Sequence, residues 1–333
     1  EEQLKGILNV DKIKIYKDNN FTNYEEIFQK ENNNYQYICY LSEESILDKT
    51  FLECAYCTLI TNFEYNCAYS NYIVYGNEEY TITSLNDEKN IYNNICFMIK
   101  KEVLLNIDLK TKEFNLIKLL NKCKAIKMNF YGVWNQKKEI DNNKNLELDC
   151  IKELVKNEKQ YPYSCNYYYE LPKTLEYDKN IIKNNSNKIK LLFIFPWFKM
   201  GGADNFNYNL ISRLDKEKYD ITIITTEDCK YEWRQKFEEY ATIFDVTTFL
   251  NRENWASFIH YIIQTRNINI VMISNSYYAY YAIPWLKSKF PKVVFLDYLH
   301  AVNKDWRNGE YPADSVAISN ILDKTYVSSE YIK

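Results

Sequence analysis

The chain has 333 residues, 46% of them hydrophobic and 17% aromatic, a length that accommodates about two domains. Lys and Arg number 42 against 45 Asp and Glu, giving a net charge of −3, which argues against a nucleic-acid-binding protein. Its longest apolar stretches, such as IKLLFIFPWF, fall short of the roughly 20 residues that a membrane span requires. The acidic opening EEQLKGILNV has no long apolar segment, so no signal peptide is predicted.

Nine cysteines are scattered along the chain, and one pair, Cys54 and Cys57, lies in the helix-like stretch TFLECAYCTLITN. A zinc site needs about four Cys or His ligands, but the sequence has no second Cys-x-x-Cys pair and only two histidines, His260 and His300. We therefore expect reduced thiols, no metal held by the cysteines and a cytoplasmic location.

The first part of the chain mixes strand and helix patterns. A strand, an acidic loop and a helix are predicted in YQYICYLSEESILDKTFLECAYCTLITN. Further apolar runs follow in NYIVYG, NICFMIKKEVLLNI and EFNLIKLLNKCKAIKMNFYGVW. These patterns predict an α/β domain over residues 1–142. Residues 143–187 contain two prolines and end in the polar run KNNSN, a composition typical of a linker.

Residues 188–333 alternate regularly between apolar strand patterns and helical patterns. One helical pattern places Phe206, Leu210 and Leu214 four residues apart. Continuous apolar strands are buried on both faces, which predicts a parallel, doubly wound sheet with a Rossmann-like fold. The predicted strands are IKLLFIF (189–195), DITIITT (220–226), TIFDVT (242–247), INIVMIS (268–274), KVVFLDYL (292–299) and KTYVSS (324–329).

A Gly-Gly pair stands at the junction of the first of these strands and the following helix, in PWFKMGGADNFNYNLISRL. Glycine lets the backbone approach a ligand closely, and the positive end of a helix dipole favours phosphate. The chain contains no Gly-x-Gly and no P-loop pattern, so the common dinucleotide and nucleoside-triphosphate loops are excluded. Gly201 and Gly202 thus indicate a phosphate-binding loop or a simple tight turn.

Polar and aromatic residues follow two later strands at the same predicted edge of the sheet. Asn275 and Ser276 end one strand, and Asp297, Tyr298 and His300 end another. Carboxyl ends of parallel strands meet along one edge, so these side chains predict a pocket for a carbohydrate or a nucleotide.

These segments, with ITIITT, ISNS, DYLH and YVSSEYIK, resemble the N-terminal, acceptor-side half of retaining family-4 glycosyltransferases of the GT-B fold. The resemblance covers about residues 188–333. It implies that the diphosphate of a nucleotide-sugar donor meets Gly201, Gly202, Ala203 and Asp204, and that His300 lies near the reacting carbon. It also implies an acceptor crevice formed by Asn275, Ser276, Asp297, Tyr298, Asp305 and Trp306.

The first half resembles the later part of a family-2 glycosyltransferase of the GT-A fold, through YICYLSEESILDKTFLE, NICFMIKKEVLLNI and EFNLIKLLNKCKA. The metal-binding Asp-x-Asp of that fold corresponds to Ser42, Glu43 and Glu44, which lack the first carboxylate for Mg²⁺ or Mn²⁺. Glu113 falls near the position of the catalytic base. The early nucleotide-binding strands have no counterpart, so this module is expected to be inactive, with a metal requirement only if the degenerate site functions.

The closest overall resemblance is to bacterial proteins that join the two modules in this order. It implies a nucleotide-sugar donor and a cell-surface glycan or glycoprotein acceptor, as in polysaccharide biosynthesis. The second GT-B domain has no counterpart after YVSSEYIK, so the chain is expected to be inactive alone, either as a fragment of a longer enzyme or as a module that no longer catalyses by itself. A non-catalytic carbohydrate-binding or scaffold module and a sugar-nucleotide epimerase remain alternatives. No nucleic-acid partner and no membrane span are expected, and peripheral association with a membrane stays open.

Overall fold

The computed structural model describes residues 36–41, 45–76, 79–83, 96–105, 123–136, 174–177, 187–228, 233–305 and 309–332. The chain divides into two compact units, residues 1–161 and 162–333. Most of the predicted linker over 143–187 lies outside the described residues. None of the described helices is long and apolar enough to cross a membrane.

The N-terminal unit is built on a mixed sheet of six strands. Its strand order is β1-β5-β3-β6-β2, with β4 pairing onto β3, and only β3 and β6 among the paired strands run parallel. The described elements are β1 (Tyr37–Tyr40), β2 (Ser45–Leu47), α1 (Phe51–Thr61), β3 (Cys67–Gly76), β4 (Glu79–Thr83), β5 (Phe97–Lys100), α2 (Lys101–Leu105) and β6 (Ala125–Gln136).

Helix α1 is apolar for most of its length and is buried from Phe51 to Leu59. It contains both Cys54 and Cys57, which are buried, and it confirms the helix predicted around this Cys-x-x-Cys pair. A Cβ at Gly132 would lie 2.6 Å from the Phe51 ring and 2.7 Å from the Ser70 hydroxyl. The glycine is therefore required for this close packing of α1 against the sheet.

The C-terminal unit alternates strands and helices throughout its described residues. Two short 3₁₀ turns, at Val246–Thr248 and Arg252–Asn254, join the third strand of the unit to the next helix. The elements are β7 (Ile189–Phe195), α3 (Gly202–Ser212), β8 (Tyr219–Thr225), α4 (Arg234–Glu238), β9 (Thr242–Asp245), α5 (Trp255–Arg266), β10 (Ile270–Ser274), α6 (Tyr277–Lys289), β11 (Val294–Leu299), α7 (Tyr311–Ala317) and β12 (Lys324–Val327).

The six strands of this unit form one parallel sheet in the order β9-β8-β7-β10-β11-β12. Counted from β7, this is the 3-2-1-4-5-6 order of a doubly wound Rossmann-like sheet. The central strand is buried continuously from Lys190 to Phe195, as expected for a strand covered on both faces. The predicted fold class is thus confirmed.

The face that α3 buries differs from the predicted one. The helix ends at Ser212, and its buried residues are Asp204, Asn207 and Ile211, whereas Phe206 and Leu210 are only partly buried. Leu214 lies beyond the helix and packs against the core from the following turn. Two polar side chains occupy the buried stripe because the first turns of α3 face the ends of the strands rather than the apolar core.

Candidate functional site: a cleft at the reversal of strand order

The strand order of the C-terminal sheet reverses between β7 and β10. The loops after these two strands run in opposite directions, which opens a crevice where doubly wound proteins bind their ligands. A cleft of about 280 Å³ lies there. Its lining comes from the loop after β7, the start of α3 and the end of β10, and consists of Pro196, Trp197, Lys199, Met200, Gly201, Gly202, Ala203, Asp204, Asn207, Ser274 and Asn275.

The loop after β7 is anchored by one aromatic residue and leaves its tip exposed. Phe198 is fully buried, and its ring lies 4.9 Å from that of Phe237 and 6.2 Å from that of Phe195. Beyond it, Lys199 and Met200 are exposed, and the Lys199 Nζ lies 4.0 Å from the centre of the Trp197 ring. The buried Phe198 therefore fixes the loop so that the adjacent Lys199 lines the cleft.

Helix α3 begins at the Gly-Gly pair. Gly201 is the N-cap in an extended conformation, and its carbonyl accepts the first helical hydrogen bond from the N–H of Asn205 at 2.9 Å. The N–H groups of Gly202 and Ala203 precede that bond and point out of the helix end, where the helix dipole is positive. A Cβ at Gly202 would meet no described atom within 4 Å, so packing against the described residues does not require glycine there.

Asp204 holds this loop in place from within α3. Its carboxylate accepts hydrogen bonds from the backbone N–H groups of Lys199 and of Asp204 itself, and a Cβ at Gly201 would lie 3.2 Å from its Oδ2. Burial raises the pKa of Asp204 to about 6, although these hydrogen bonds and the Lys199 ammonium act in the opposite direction. A carboxylate repels phosphate, so its direct contribution to the cleft is to loop geometry.

A chain of hydrogen bonds connects the cleft to the predicted histidine. The Asn207 amide donates to the Ser274 hydroxyl at 3.1 Å, and that hydroxyl lies 2.8 Å from the His300 Nε2. The three residues come from α3, the last position of β10 and the position after β11. Because Ser274 is only 1% exposed, its hydroxyl depends on these protein partners rather than on water.

His300 is enclosed by aromatic rings. The Phe206 ring lies 5.3 Å away edge-on, the Tyr298 ring lies 4.6 Å away, and Phe206 and Tyr298 stack on one another at 4.1 Å. Burial lowers the pKa of the imidazole to about 4, so His300 is neutral at pH 7. Tyr298, a predicted acceptor residue, therefore serves here as one wall of the histidine site.

Asn275 lines the cleft in an unusual conformation. Its φ is +59°, in the left-handed region that non-glycine residues seldom adopt, and its buried Oδ1 has no hydrogen-bond partner among the described residues. Both features cost free energy, and such residues cluster at ligand sites. The Oδ1 is available to accept a hydrogen bond from a hydroxyl or amide of a ligand.

Two other predicted site residues lie away from the cleft. Ser276 is fully buried, caps α6 by accepting from the Ala279 N–H at 3.2 Å, and contacts the Thr226 hydroxyl at 2.8 Å. Asp297 is fully buried and accepts from the Tyr280 hydroxyl at 3.4 Å. Burial raises the pKa of the Asp297 carboxyl group. Neither residue lines this cleft.

Of the remaining predicted positions, Asp305 does not line the cleft and the others lie outside the described residues. Asp305 is exposed, and its N–H donates to the Asn303 side chain at 3.1 Å. Trp306, Glu113 and the Ser42, Glu43 and Glu44 segment lie outside the described residues. Within the described ranges, no group of three or more His, Cys, Asp or Glu side chains could hold a metal ion.

The structure thus brings together the Gly-Gly loop, Ala203, Asp204 and Asn275, and it links His300 to them through Ser274. Three polar residues of the cleft, Lys199, Asn207 and Ser274, were not among the predicted site residues. Lys199 could have been noticed as a cation two residues before the glycines. Asn207 and Ser274 carry no such signal, because only the fold brings them to one place.

Comparisons with known proteins include a distant structural similarity to a solved enzyme. No protein-family model matches the chain, and no curated protein matches it. Among solved structures it is similar to a mutant O-GlcNAc transferase from Thermobaculum terrenum, with 11% identity over 40% of this chain and a TM-score of 0.27. The match covers 26% of that enzyme's chain, so this protein spans about a quarter of it. The fold assignment therefore rests on the strand order and burial described above.

Proposed function

We propose that the protein is a nucleotide-sugar-dependent glycosyltransferase whose C-terminal unit binds the donor diphosphate in the cleft. The observation that carries the proposal is the combination, at the reversal of strand order, of a helix N-terminus, open space at Gly202 and the cation Lys199. The sugar would be transferred to a glycan or glycoprotein acceptor. Asp305 and Trp306 remain predicted acceptor residues.

The electrostatics of the cleft suit a diphosphate. The α3 dipole places about half a positive charge at the helix start, and the N–H groups of Gly202 and Ala203 supply hydrogen-bond donors. Lys199 adds a full positive charge within the same lining. When a sugar leaves a nucleotide diphosphate, negative charge grows on the phosphate oxygens, and donors fixed at that position stabilise the transition state.

Asn275 supplies the acceptor that complements these donors. A ligand that places a hydroxyl or amide donor against its Oδ1 would satisfy a buried oxygen that has no partner among the described residues. Nucleosides and sugars carry such donors beside their phosphates, whereas an inorganic anion carries fewer. The cleft is therefore better suited to a nucleotide sugar than to phosphate alone.

Binding to the full chain tests the proposal directly. Calorimetric titration with UDP, GDP, dTDP and CMP and with their sugars should identify one nucleotide class that binds without added metal. Lys199→Met should then weaken binding about tenfold, equivalent to about 1.4 kcal/mol. Lys292→Met is the matched control, because Lys292 is an exposed lysine just before β11, at the opposite edge of the sheet.

Five outcomes would contradict parts of the proposal. No binding of any nucleotide, or equal weakening by both lysine variants, would exclude a diphosphate site in the cleft. Binding that requires Mn²⁺ and is insensitive to Lys199→Met would instead indicate the Ser42, Glu43 and Glu44 segment. Formation of an epimerised nucleotide sugar without any acceptor would replace the transferase by an epimerase, and glycan binding without nucleotide binding would favour a scaffold module.

A further inference from the structure

We infer that Asn207 and Ser274 are positioning residues that hold His300 in one tautomer and connect it to the occupancy of the cleft. The effect of a nucleotide on His300 rests on the proposed function, whereas the tautomer does not.

The direction of the hydrogen bonds follows from the donors available. The Asn207 amide nitrogen donates to the Ser274 oxygen at 3.1 Å, so the proton of the Ser274 hydroxyl needs a different acceptor. The His300 Nε2, at 2.8 Å, provides one. A buried hydroxyl proton without an acceptor would cost about 1–3 kcal/mol, which favours an unprotonated Nε2 and places the imidazole proton on Nδ1.

The positions of the three residues allow this hydrogen-bond chain to connect His300 to the cleft as well as to fix its tautomer. Asn207 and Ser274 line the cleft, whereas His300 stands behind them among the Phe206 and Tyr298 rings. A ligand group that accepts a hydrogen bond from the Asn207 amide would weaken the bond that this amide donates to Ser274. Because Ser274 is hydrogen-bonded to His300, the change would reach the imidazole. The rings leave the imidazole little room to turn, so the change reaches its electronic state rather than its position.

This arrangement has a consequence for the chemistry of His300. Its Nε2 lone pair is engaged by the Ser274 hydroxyl, so this nitrogen is not available as a base while the bond persists. The ring is neutral, and its remaining polar function is the Nδ1–H donor. The Nδ1–H is therefore the hydrogen-bond donor that His300 can offer, and Ser274 determines which nitrogen carries that proton.

Long-range ¹H–¹⁵N NMR of the ¹⁵N-labelled full chain measures the tautomer directly. The chain has two histidines, and the second, His260, lies on α5 with its ring against Trp285 and Phe290, where it serves as an internal reference. We expect a pyrrole-type Nδ1 and a pyridine-type Nε2 for His300 at pH 7. The opposite pattern, or an averaged signal from both tautomers, would overturn the inference.

Two substitutions separate positioning from folding. In Asn207→Asp the new carboxylate accepts the Ser274 proton, Ser274 then accepts from the imidazole, and the protonated nitrogen should change to Nε2. Ser274→Ala should give a mixture of tautomers, and Ser274→Thr, which keeps the hydroxyl, should restore the single form. Ser212→Ala removes a part-buried hydroxyl elsewhere on α3 and should change nothing.

Addition of UDP, or of whichever nucleotide the calorimetry selects, tests the connection. The His300 nitrogen signals should shift on binding, and the His260 signals should stay fixed. Ser274→Ala, titrated until the nucleotide saturates it, should show no shift of His300. A His300 shift that persists in Ser274→Ala would exclude Ser274 as the connecting residue. If no nucleotide binds, the proposed function fails and the connection of His300 to the cleft fails with it. The tautomer measured in the free protein still tests whether Asn207 and Ser274 position His300.

Discussion

Replacement of Gly202 by alanine should raise the stability of the protein while lowering its affinity for a nucleotide. Gly202 is the first residue of α3, its φ is not positive, and a Cβ there would contact no described atom within 4 Å. Alanine also restricts the unfolded chain, and such replacements stabilise by about 0.4–1 kcal/mol where the native backbone accepts them. We therefore expect a stability gain of this size.

The same methyl group should hinder the ligand. A phosphate oxygen bonded to the Gly202 N–H would lie about 2.9 Å from the nitrogen, beside the position that the methyl group takes. We expect the affinity of the full chain for its nucleotide to fall at least tenfold, or about 1.4 kcal/mol. Urea unfolding and calorimetric titration of the same preparation measure the two effects.

Gly201→Ala is the matched comparison within the loop. Its Cβ would lie 3.2 Å from the Asp204 Oδ2, so the carboxylate that holds the loop must shift and stability should fall rather than rise. Unchanged affinity in Gly202→Ala would show that no ligand approaches this part of the backbone. A loss of stability in Gly202→Ala would show that its open space is occupied in the folded protein, and either result would refute the reasoning.

Three further predictions concern charge and strain. The pKa of Asp204 is raised to about 6, so the carboxylate that repels phosphate becomes neutral as pH falls from 7.5 to 5.5. Affinity for a nucleotide sugar should therefore increase over this range, and calorimetry should find this dependence absent in Asp204→Asn. Glu310 adopts φ +64° and ψ −143°, a conformation that favours glycine, so urea unfolding should find Glu310→Gly more stable than Glu310→Ala by about 1–3 kcal/mol; equal stability would exclude backbone strain. Burial raises the pKa of Asp245 from an unfolded value of about 3.9 to about 7, so ionisation of this group destabilises the fold as pH rises between those values. Asp245→Asn should therefore gain stability relative to the wild type between pH 5 and 8, by up to a few kcal/mol on the scale of about 1.4 kcal/mol per pKa unit, and a constant difference in urea unfolding would contradict this.

The fold of the C-terminal unit could be predicted because its local signals agree with its tertiary structure. The strand IKLLFIF was placed at 189–195, where β7 lies, and its continuous apolar character correctly indicated burial on both faces. The predicted strand over 242–247 ended at Asp245 instead. That carboxylate accepts hydrogen bonds from the Thr247 N–H and hydroxyl, which turns the chain into a 3₁₀ helix. Such a cap depends on a single side chain and leaves the apolar pattern unchanged.

The N-terminal unit was less predictable because its sheet is mixed. The segment before α1 was expected to be one strand and a loop, but Ser45–Leu47 forms a second strand paired with β6. Three residues are too few for a periodic pattern, and the partner strand lies about 90 residues later in the chain. Pairing over that distance is a property of the tertiary structure, which local patterns do not contain.

The sequence indicated the backbone part of the candidate site more directly than its side chains. Gly201 and Gly202 are visible in the sequence because glycine has a direct conformational meaning at a strand-to-helix junction. Asp297 illustrates the opposite case: it ends a strand at the correct edge, yet its side chain faces Tyr280 in the interior. Alternate residues of a strand point to opposite faces, so position at an edge does not fix which face a side chain serves.

Backbone conformation gives a second reason, independent of the Gly-Gly loop, to place the candidate site at this edge of the sheet. Three described non-glycine residues have a positive φ, and Asn267 is an ordinary left-handed residue after the end of α5. Asn275 and Glu310 have no such role. Asn275 directly follows β10, and Glu310 precedes α7 in the connection that leaves the carboxyl end of β11. Of the two, only Asn275 lines the cleft. Its buried Oδ1 has no hydrogen-bond partner among the described residues, so a ligand in the proposed site would satisfy this oxygen.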